Sequence, residues 1–178
     1  MNQTAWDQLF ARLRVTPFQI AIVMSGGGSG ALAECFRRSG ASANFVEAVI
    51  PYSQRAMSEY LSQTPLGSAA SLETAKQLAE VAHQRAQRLG EPNSQHCVGL
   101  ALVAALPTSR PRRGDDRIHV AAKQTDSGVS RSIQLAKNEF SRESAEEVAD
   151  QLIYLALADI AELSVPELPL KGVQVSRY

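Results

Sequence analysis

Hydrophobic residues recur at helical spacing in four segments of the chain, and a fifth, residues 54–62, has helical composition. In the first, the apolar positions Trp6, Leu9, Phe10 and Leu13 follow the i, i+3, i+4, i+7 pattern of a single helical face. The two longest segments each follow a serine of the kind that caps a helix. The predicted helices are residues 3–14, 31–38, 54–62, 72–89 and 142–163.

Continuous apolar runs mark the strands, and residues 18–24 have the composition of a strand that is buried on both faces. The predicted strands are residues 18–24, 44–52, 96–106, 117–125 and 129–137, of which the last two form a hairpin. This order of elements predicts a three-layer α/β/α sandwich around a mixed, mostly parallel sheet of about five strands. We expect one domain over residues 1–163, followed by a tail that packs loosely or contacts another subunit.

A glycine-rich stretch, residues 25–30, lies between the first strand and the helix that follows it. A strand that ends in glycines before a helix can direct backbone N–H groups at an anion, so Gly26, Gly27, Gly28 and Ser29 are candidate ligand-binding residues. The alternative is a turn that only reverses the chain. In a mostly parallel sheet, this stretch, Tyr52 and Pro107 would lie together at the carboxyl ends of the strands, where ligands gather in α/β proteins.

Composition and charge limit the classes of partner. The 178 residues carry 18 Lys and Arg against 18 Asp and Glu, so no overall field attracts nucleic acid or an anionic membrane. The basic residues cluster at Arg110, Arg112 and Arg113, which form either a solvated loop or a loop that contacts phosphate. The two cysteines have no metal-ligand spacing, and no secretory or membrane-spanning segment is recognisable. These features predict a cytoplasmic protein that binds a small molecule without a metal or other cofactor.

Ser25 is the candidate nucleophile because a tight strand-to-helix turn exposes its hydroxyl near backbone amides. A serine nucleophile needs a base, and His83 and His119 both lie within predicted regular elements whose direction the sequence leaves open. From the residues alone, the reasoning therefore ends at a ligand-binding turn.

Four short motifs carry a resemblance to a known family. They are Ser25-Gly26-Gly27-Gly28, Gly40-Ala41-Ser42-Ala43-Asn44-Phe45, Tyr52-Ser53 and Ser68-Ala69-Ala70-Ser71. Their spacing resembles that of the CinA carboxy-terminal domain family, the nicotinamide-nucleotide amidohydrolases, from about residue 20 to residue 163. The resemblance implies an α/β/α domain that hydrolyses the carboxamide of nicotinamide mononucleotide without a metal. It also implies catalytic roles for Ser25 and Tyr52, and places Ser42 and Ser71 among the ligand-binding residues.

The chain departs from the family pattern where the chemistry is most demanding. The family lysine that would accept the serine proton falls on Met57, and a thioether cannot take up a proton. Met24 replaces the glutamate before the serine, and the glycines of a further family loop are missing from residues 103–108. Two hypotheses follow. The protein is either a serine amidohydrolase with another base, or a non-catalytic module that binds a phosphorylated nucleotide through the glycine turn and Arg112 or Arg113. In either case we expect a homo-oligomer.

Overall fold

The computed structural model describes residues 3–92, 94–109, 113–165 and 173–178. The helices are α1 (Gln3–Leu13), α2 (Ser29–Phe36), α3 (Gln54–Leu61), α4 (Leu72–Leu89) and α5 (Arg142–Ile160), with a short 3-10 helix at Ala41–Ala43. The strands are β1 (Gln19–Ser25), β2 (Phe45–Val49), β3 (Cys97–Ala105), β4 (Asp116–Lys123), β5 (Gly128–Leu135) and β6 (Gln174–Arg177). Arg110, Pro111 and Arg112, which belong to the predicted basic loop, lie outside the described residues.

The strands form one mixed sheet in the order β2-β1-β3-β4-β5-β6. β1 pairs in parallel with β2 and β3, whereas the β3–β4, β4–β5 and β5–β6 pairs are antiparallel. Four of the six described strands, β1, β2, β3 and β5, therefore point in the same direction. The predicted α/β sandwich and its mixed sheet are confirmed, with one strand more than expected.

Alternation along β1 assigns the helices to two layers. Ile20, Ile22 and Met24 pack with α1, α2 and α5 in one core, while Ala21 and Val23 pack with α3 and α4 in the other. The second core is built from smaller side chains, so α4 lies close against the sheet. A Cβ atom on Gly99 of β3 would lie only 2.0 Å from the carbonyl oxygen of Ala79 in α4, a contact that only glycine tolerates.

The C-terminal segment differs from the predicted loose tail. Gln174–Arg177 forms β6 and pairs with β5, and the chain end is fixed by reciprocal backbone hydrogen bonds between Gly128 and Tyr178 at 2.6 and 2.9 Å. The Tyr178 ring also lies 4.2 Å from the Lys76 ammonium group of α4. After Ser164 only Val173 and Val175 alternate with polar residues, and this run is too short to identify a strand from hydrophobic pattern. Across the described residues, every helix is too short or too polar to cross a membrane.

Candidate functional site

The parallel strands bring the predicted site residues to one end of the sheet. β1, β2 and β3 finish there at Ser25, Val49 and Ala105, and we call this end the carboxyl edge. Helices α2, α3, α4 and α5 all begin at the same edge, so the positive ends of four helix dipoles converge on it. This arrangement favours an anionic ligand and agrees with the position predicted for the glycine turn, Tyr52 and Pro107.

Ser25 is the last residue of β1 and faces the layer that contains α3 and α4, in line with Ala21 and Val23. Its hydroxyl donates a hydrogen bond to the backbone carbonyl of Pro51 at 3.1 Å. A carbonyl oxygen orients the hydroxyl but does not remove its proton. The hydrogen bond therefore holds Ser25 in place beside Tyr52, which follows Pro51 in the chain.

Met57, where the sequence resemblance places the family lysine, lies inside the protein. It is on α3, its side chain is 3% exposed, and it packs in the same apolar core as Val23 and Leu61. Arg55, the nearest cation in sequence, is exposed on another face of the same helix. Met57 is therefore part of the apolar core, and its thioether offers no proton acceptor.

Neither histidine considered from the sequence reaches Ser25. His119 on β4 is opposite Val103, which is opposite Ser25, so two strand spacings of about 4.8 Å each separate the backbones of Ser25 and His119. The His119 imidazole instead bonds Ser132 through Nδ1 at 2.8 Å, and burial together with Arg117 lowers its pKa. His83 is buried on α4 near Cys97, where β3 begins, at the far end of the sheet, and burial lowers its pKa.

The glycine turn has the backbone conformation that its sequence suggests. Gly26 and Gly28 have φ angles of 89° and 87°, in the left-handed region that favours glycine, and Gly28 caps α2. A Cβ atom on Gly26 would lie 2.0 Å from the carbonyl oxygen of Ala104 in β3. α2 begins at Ser29, two residues earlier than predicted, which leaves Ser29 exposed in its first turn.

Two carboxylates of α5 approach the start of α2. The backbone N–H of Gly28 donates to Glu146 Oε2 and that of Ala31 donates to Asp150 Oδ1, both at 2.7 Å. A Cβ atom on Gly30 would lie 2.1 Å from Asp150 Oδ2, so the absence of a side chain lets α5 come this close. Burial raises the pKa of the Asp150 carboxyl to about 6; the Ala31 N–H opposes this rise and the Glu146 charge adds to it.

Arg142, the first residue of α5, connects this turn to a shallow surface depression. Its guanidinium donates to the Gly26 carbonyl at 3.2 Å and, from Nη2, to Glu146 Oε1 at 2.7 Å. Arg142 also lines a depression of about 320 Å³ together with Pro107, Thr108 and Ser109. We call this cavity the Arg142 depression. The Arg142 side chain is 41% exposed, so its guanidinium is accessible to a ligand at the carboxyl edge.

The other predicted residues are distributed unevenly around the site. Tyr52 is at the carboxyl edge and is 72% exposed. Ser71 caps α4 at the same edge, where its hydroxyl accepts a hydrogen bond from the Thr74 N–H. Arg113 is exposed in the segment that leads into β4, which also begins at this edge. Arg112 lies outside the described residues.

Ser42 is not brought to the carboxyl edge. It lies in the 3-10 helix before β2, and the neighbouring Ala43 carbonyl accepts a hydrogen bond from Gln19, the first residue of β1. The length of β1, about 20 Å, therefore separates Ser42 from Ser25.

Sequence reasoning missed the α5 residues that surround the turn. Arg142, Glu146 and Asp150 are spaced four apart and form one half-buried polar stripe on a helix whose buried positions are apolar. This spacing is visible in the sequence. Because the first N–H groups of a helix have no partner within it, the carboxylates of α5 were candidate acceptors for the N–H groups at the start of α2. In the described residues, no group of three or more His, Cys, Asp and Glu side chains could hold a metal ion.

Comparisons with known proteins bear on the fold. No family model matches the sequence, and no curated protein matches it. Solved structures do match. A competence-damaged protein (CinA) superfamily protein from Enterobacter cloacae is 13% identical, with a TM-score of 0.67 and coverage of 89% of each chain.

Two further structures give the same result. A CinA superfamily protein from Escherichia coli is 15% identical over 90% of this chain and 91% of that chain, with a TM-score of 0.67. The competence/damage inducible protein CihA from Agrobacterium tumefaciens is 15% identical over 87% and 93% of the respective chains, with a TM-score of 0.66. The chain therefore has the fold of the CinA superfamily structures, as the sequence resemblance implies.

Proposed function

We propose that this protein is a divergent CinA-type module that binds a small phosphorylated nucleotide at the carboxyl edge and does not hydrolyse it. The observation that carries this proposal is the placement of two residues, the expected nucleophile Ser25 and Met57. The Ser25 hydroxyl donates a hydrogen bond to the Pro51 carbonyl, and Met57, the residue at the position of the family lysine, is buried in the core. Neither group can accept a proton from Ser25 during an attack on a carboxamide.

Retention of a binding site is supported by the charge and shape of the carboxyl edge. Four helix N-termini converge there, and the Arg142 depression presents a guanidinium beside Thr108 and Ser109. Arginine binds phosphate through two parallel N–H groups, which suits a ligand with a terminal phosphate. Tyr52 supplies an exposed ring near Ser25 that can stack on a nicotinamide or another base.

Binding is tested by the thermal unfolding temperature in the presence of nicotinamide mononucleotide, because a ligand of the native state stabilises it. We expect the unfolding temperature of the wild type to rise with nucleotide concentration, and the rise to be much smaller in Arg142→Gln. The matched control is Arg88→Gln, which removes an exposed arginine from the last turn of α4, at the other end of the sheet. An unchanged unfolding temperature at millimolar nucleotide would exclude this ligand.

Serine-dependent hydrolysis of the nicotinamide carboxamide is a second candidate, favoured by the position of Ser25. Its hydroxyl is held at the end of β1, next to Tyr52 and the left-handed glycine turn, as a nucleophile would require. This reaction would release ammonia from nicotinamide mononucleotide, and Ser25→Ala would abolish the release. Ammonia at equal levels from wild type and Ser25→Ala would eliminate this candidate.

A further inference from the structure

Glu146 is bound by the same kinds of group that bind a phosphate. Its Oε2 accepts the Gly28 N–H at 2.7 Å, and its Oε1 accepts Arg142 Nη2 at 2.7 Å and Arg142 Nε at 3.2 Å. A backbone amide at a helix start and a guanidinium that donates twice are together a typical pair of phosphate donors. An internal carboxylate thus occupies both donors where the Arg142 depression meets the glycine turn.

We propose that Glu146 is a built-in competitor for the phosphate of the ligand, and that binding requires its carboxylate to leave Arg142 and Gly28. This inference rests on the proposed function and concerns regulation of the same site. Because one guanidinium cannot donate the same two N–H groups to a carboxylate and a phosphate at once, the Glu146 contact lowers the affinity for phosphorylated ligands.

The surrounding contacts allow Glu146 to move without loss of the site. Asp150, one helical turn further along α5, keeps its own hydrogen bond to the Ala31 N–H and so continues to join α5 to α2. Arg142 keeps its hydrogen bond to the Gly26 carbonyl, which holds the guanidinium beside the depression. The Glu146 side chain is 25% exposed, so solvent can receive the released carboxylate.

The proposal predicts opposite effects from the two partners of one ion pair. Removing the charge of Glu146 frees the donors and tightens binding, whereas removing Arg142 takes away the donors themselves and weakens it. An ion pair that only stabilises the fold would weaken binding from either side, because loss of either partner would disturb the same local structure. The sign of the Glu146 effect therefore distinguishes the two roles.

The experiment measures dissociation constants by calorimetry for wild type, Glu146→Gln, Arg142→Gln and the control Glu147→Gln. Glu147 is the exposed neighbour of Glu146, and its substitution changes the net charge by the same amount. The ligands are nicotinamide mononucleotide and nicotinamide riboside, which differ by the phosphate alone. We expect Glu146→Gln to bind the mononucleotide about tenfold more tightly, Arg142→Gln to bind it at least about tenfold more weakly, and Glu147→Gln to match the wild type. The affinity for the riboside should not respond to Glu146.

The possible results separate this proposal from the proposed function. If the wild type binds the mononucleotide and Glu146→Gln binds it equally or more weakly, the competitor role is overturned and the binding function stands. If none of the proteins binds it, both are overturned.

A second measurement needs no variant. In nuclear magnetic resonance spectra of the wild type, the Gly28 amide and Arg142 Nε signals should shift together as the mononucleotide saturates, and constant signals at saturation would overturn the proposal.

Discussion

The carboxylate of Glu146 on α5 accepts a hydrogen bond from the backbone N–H of Gly28 at 2.7 Å, across 118 positions of sequence. The same carboxylate also constrains the neighbouring glycine, since a Cβ atom on Gly27 would lie 3.3 Å from Oε2. Part of the glycine content of the turn is therefore explained by the close approach of α5. The turn is already organised by an internal anion before any ligand arrives.

We predict that Gly30→Ala destabilises the protein by about 2 kcal/mol. The added methyl group would lie 2.1 Å from Asp150 Oδ2, so the Asp150 carboxylate must shift from its hydrogen bond with the Ala31 N–H. In a helix, alanine is ordinarily more favourable than glycine by about 1 kcal/mol. A net loss of stability would therefore come from the clash and not from helix propensity. The measurement is the free energy of unfolding in urea.

The matched control for this substitution is Gly114→Ala, because the one described atom that a Cβ there would approach is in the Arg117 guanidinium, at 3.8 Å. We expect that change to stay within about 0.5 kcal/mol. In an Asp150→Ala background, the cost of Gly30→Ala should fall by at least about 1 kcal/mol. An equal cost in both backgrounds would show that Asp150 is not the obstacle.

Asp150 should make stability depend on pH in a defined direction. Its pKa is about 6 in the folded protein against an ordinary value of 3.8, so the folded state retains a proton that the unfolded chain gives up between these values. The stabilising contribution is complete below pH 4 and is lost as the pH rises through 6. We therefore compare the free energy of unfolding of Asp150→Asn with that of the wild type at each pH. From pH 4 to pH 7.5 this difference should change by about 1 kcal/mol in favour of the variant, a value that allows for partial solvent screening.

Urea titrations at pH 4.0, 5.0, 6.0 and 7.5 measure this difference, with Asp126→Asn in the exposed β4–β5 turn as the control for loss of one carboxylate. The control should follow the wild type at every pH. If the difference between Asp150→Asn and the wild type were constant from pH 4 to 7.5, the raised pKa of Asp150 would be refuted.

Met57→Lys should destabilise the protein by about 3 kcal/mol, because it places an ammonium group where the native side chain is 3% exposed. Restoring the residue type of the family would thus not restore its geometry. Met57→Leu, which keeps volume and polarity, should cost less than about 1.5 kcal/mol. Urea unfolding measures both, and wild-type stability together with new ammonia release in Met57→Lys would contradict the assignment of Met57 to the core.

The sequence predicted the elements that have strong hydrophobic patterns. The runs before Ser25 and after His96 became the buried strands β1 and β3, and the serines at 71 and 141 cap α4 and α5 as expected. β6 was missed because Gln174–Arg177 is exposed throughout and depends on its pairing with β5, a contact between distant parts of the chain. Homo-oligomerisation and a cytoplasmic location stay predictions.

The candidate site was only partly predictable, for a related reason. Local signals located Ser25 and the glycine turn, whose left-handed φ angles require glycine. The partners of that turn, Glu146 and Asp150, lie more than a hundred residues away, and only the fold shows that α5 and α2 begin at the same edge. Ser42 shows the opposite error, since similarity of motif did not guarantee the same location in space.

The most direct measurement combines binding and turnover in one sample. Purified protein is titrated with nicotinamide mononucleotide in a calorimeter, and ammonia is then assayed in the recovered mixture, with Ser25→Ala treated in parallel. The account predicts saturable binding and no ammonia above the Ser25→Ala level. Ammonia released by the wild type and absent from Ser25→Ala would contradict it.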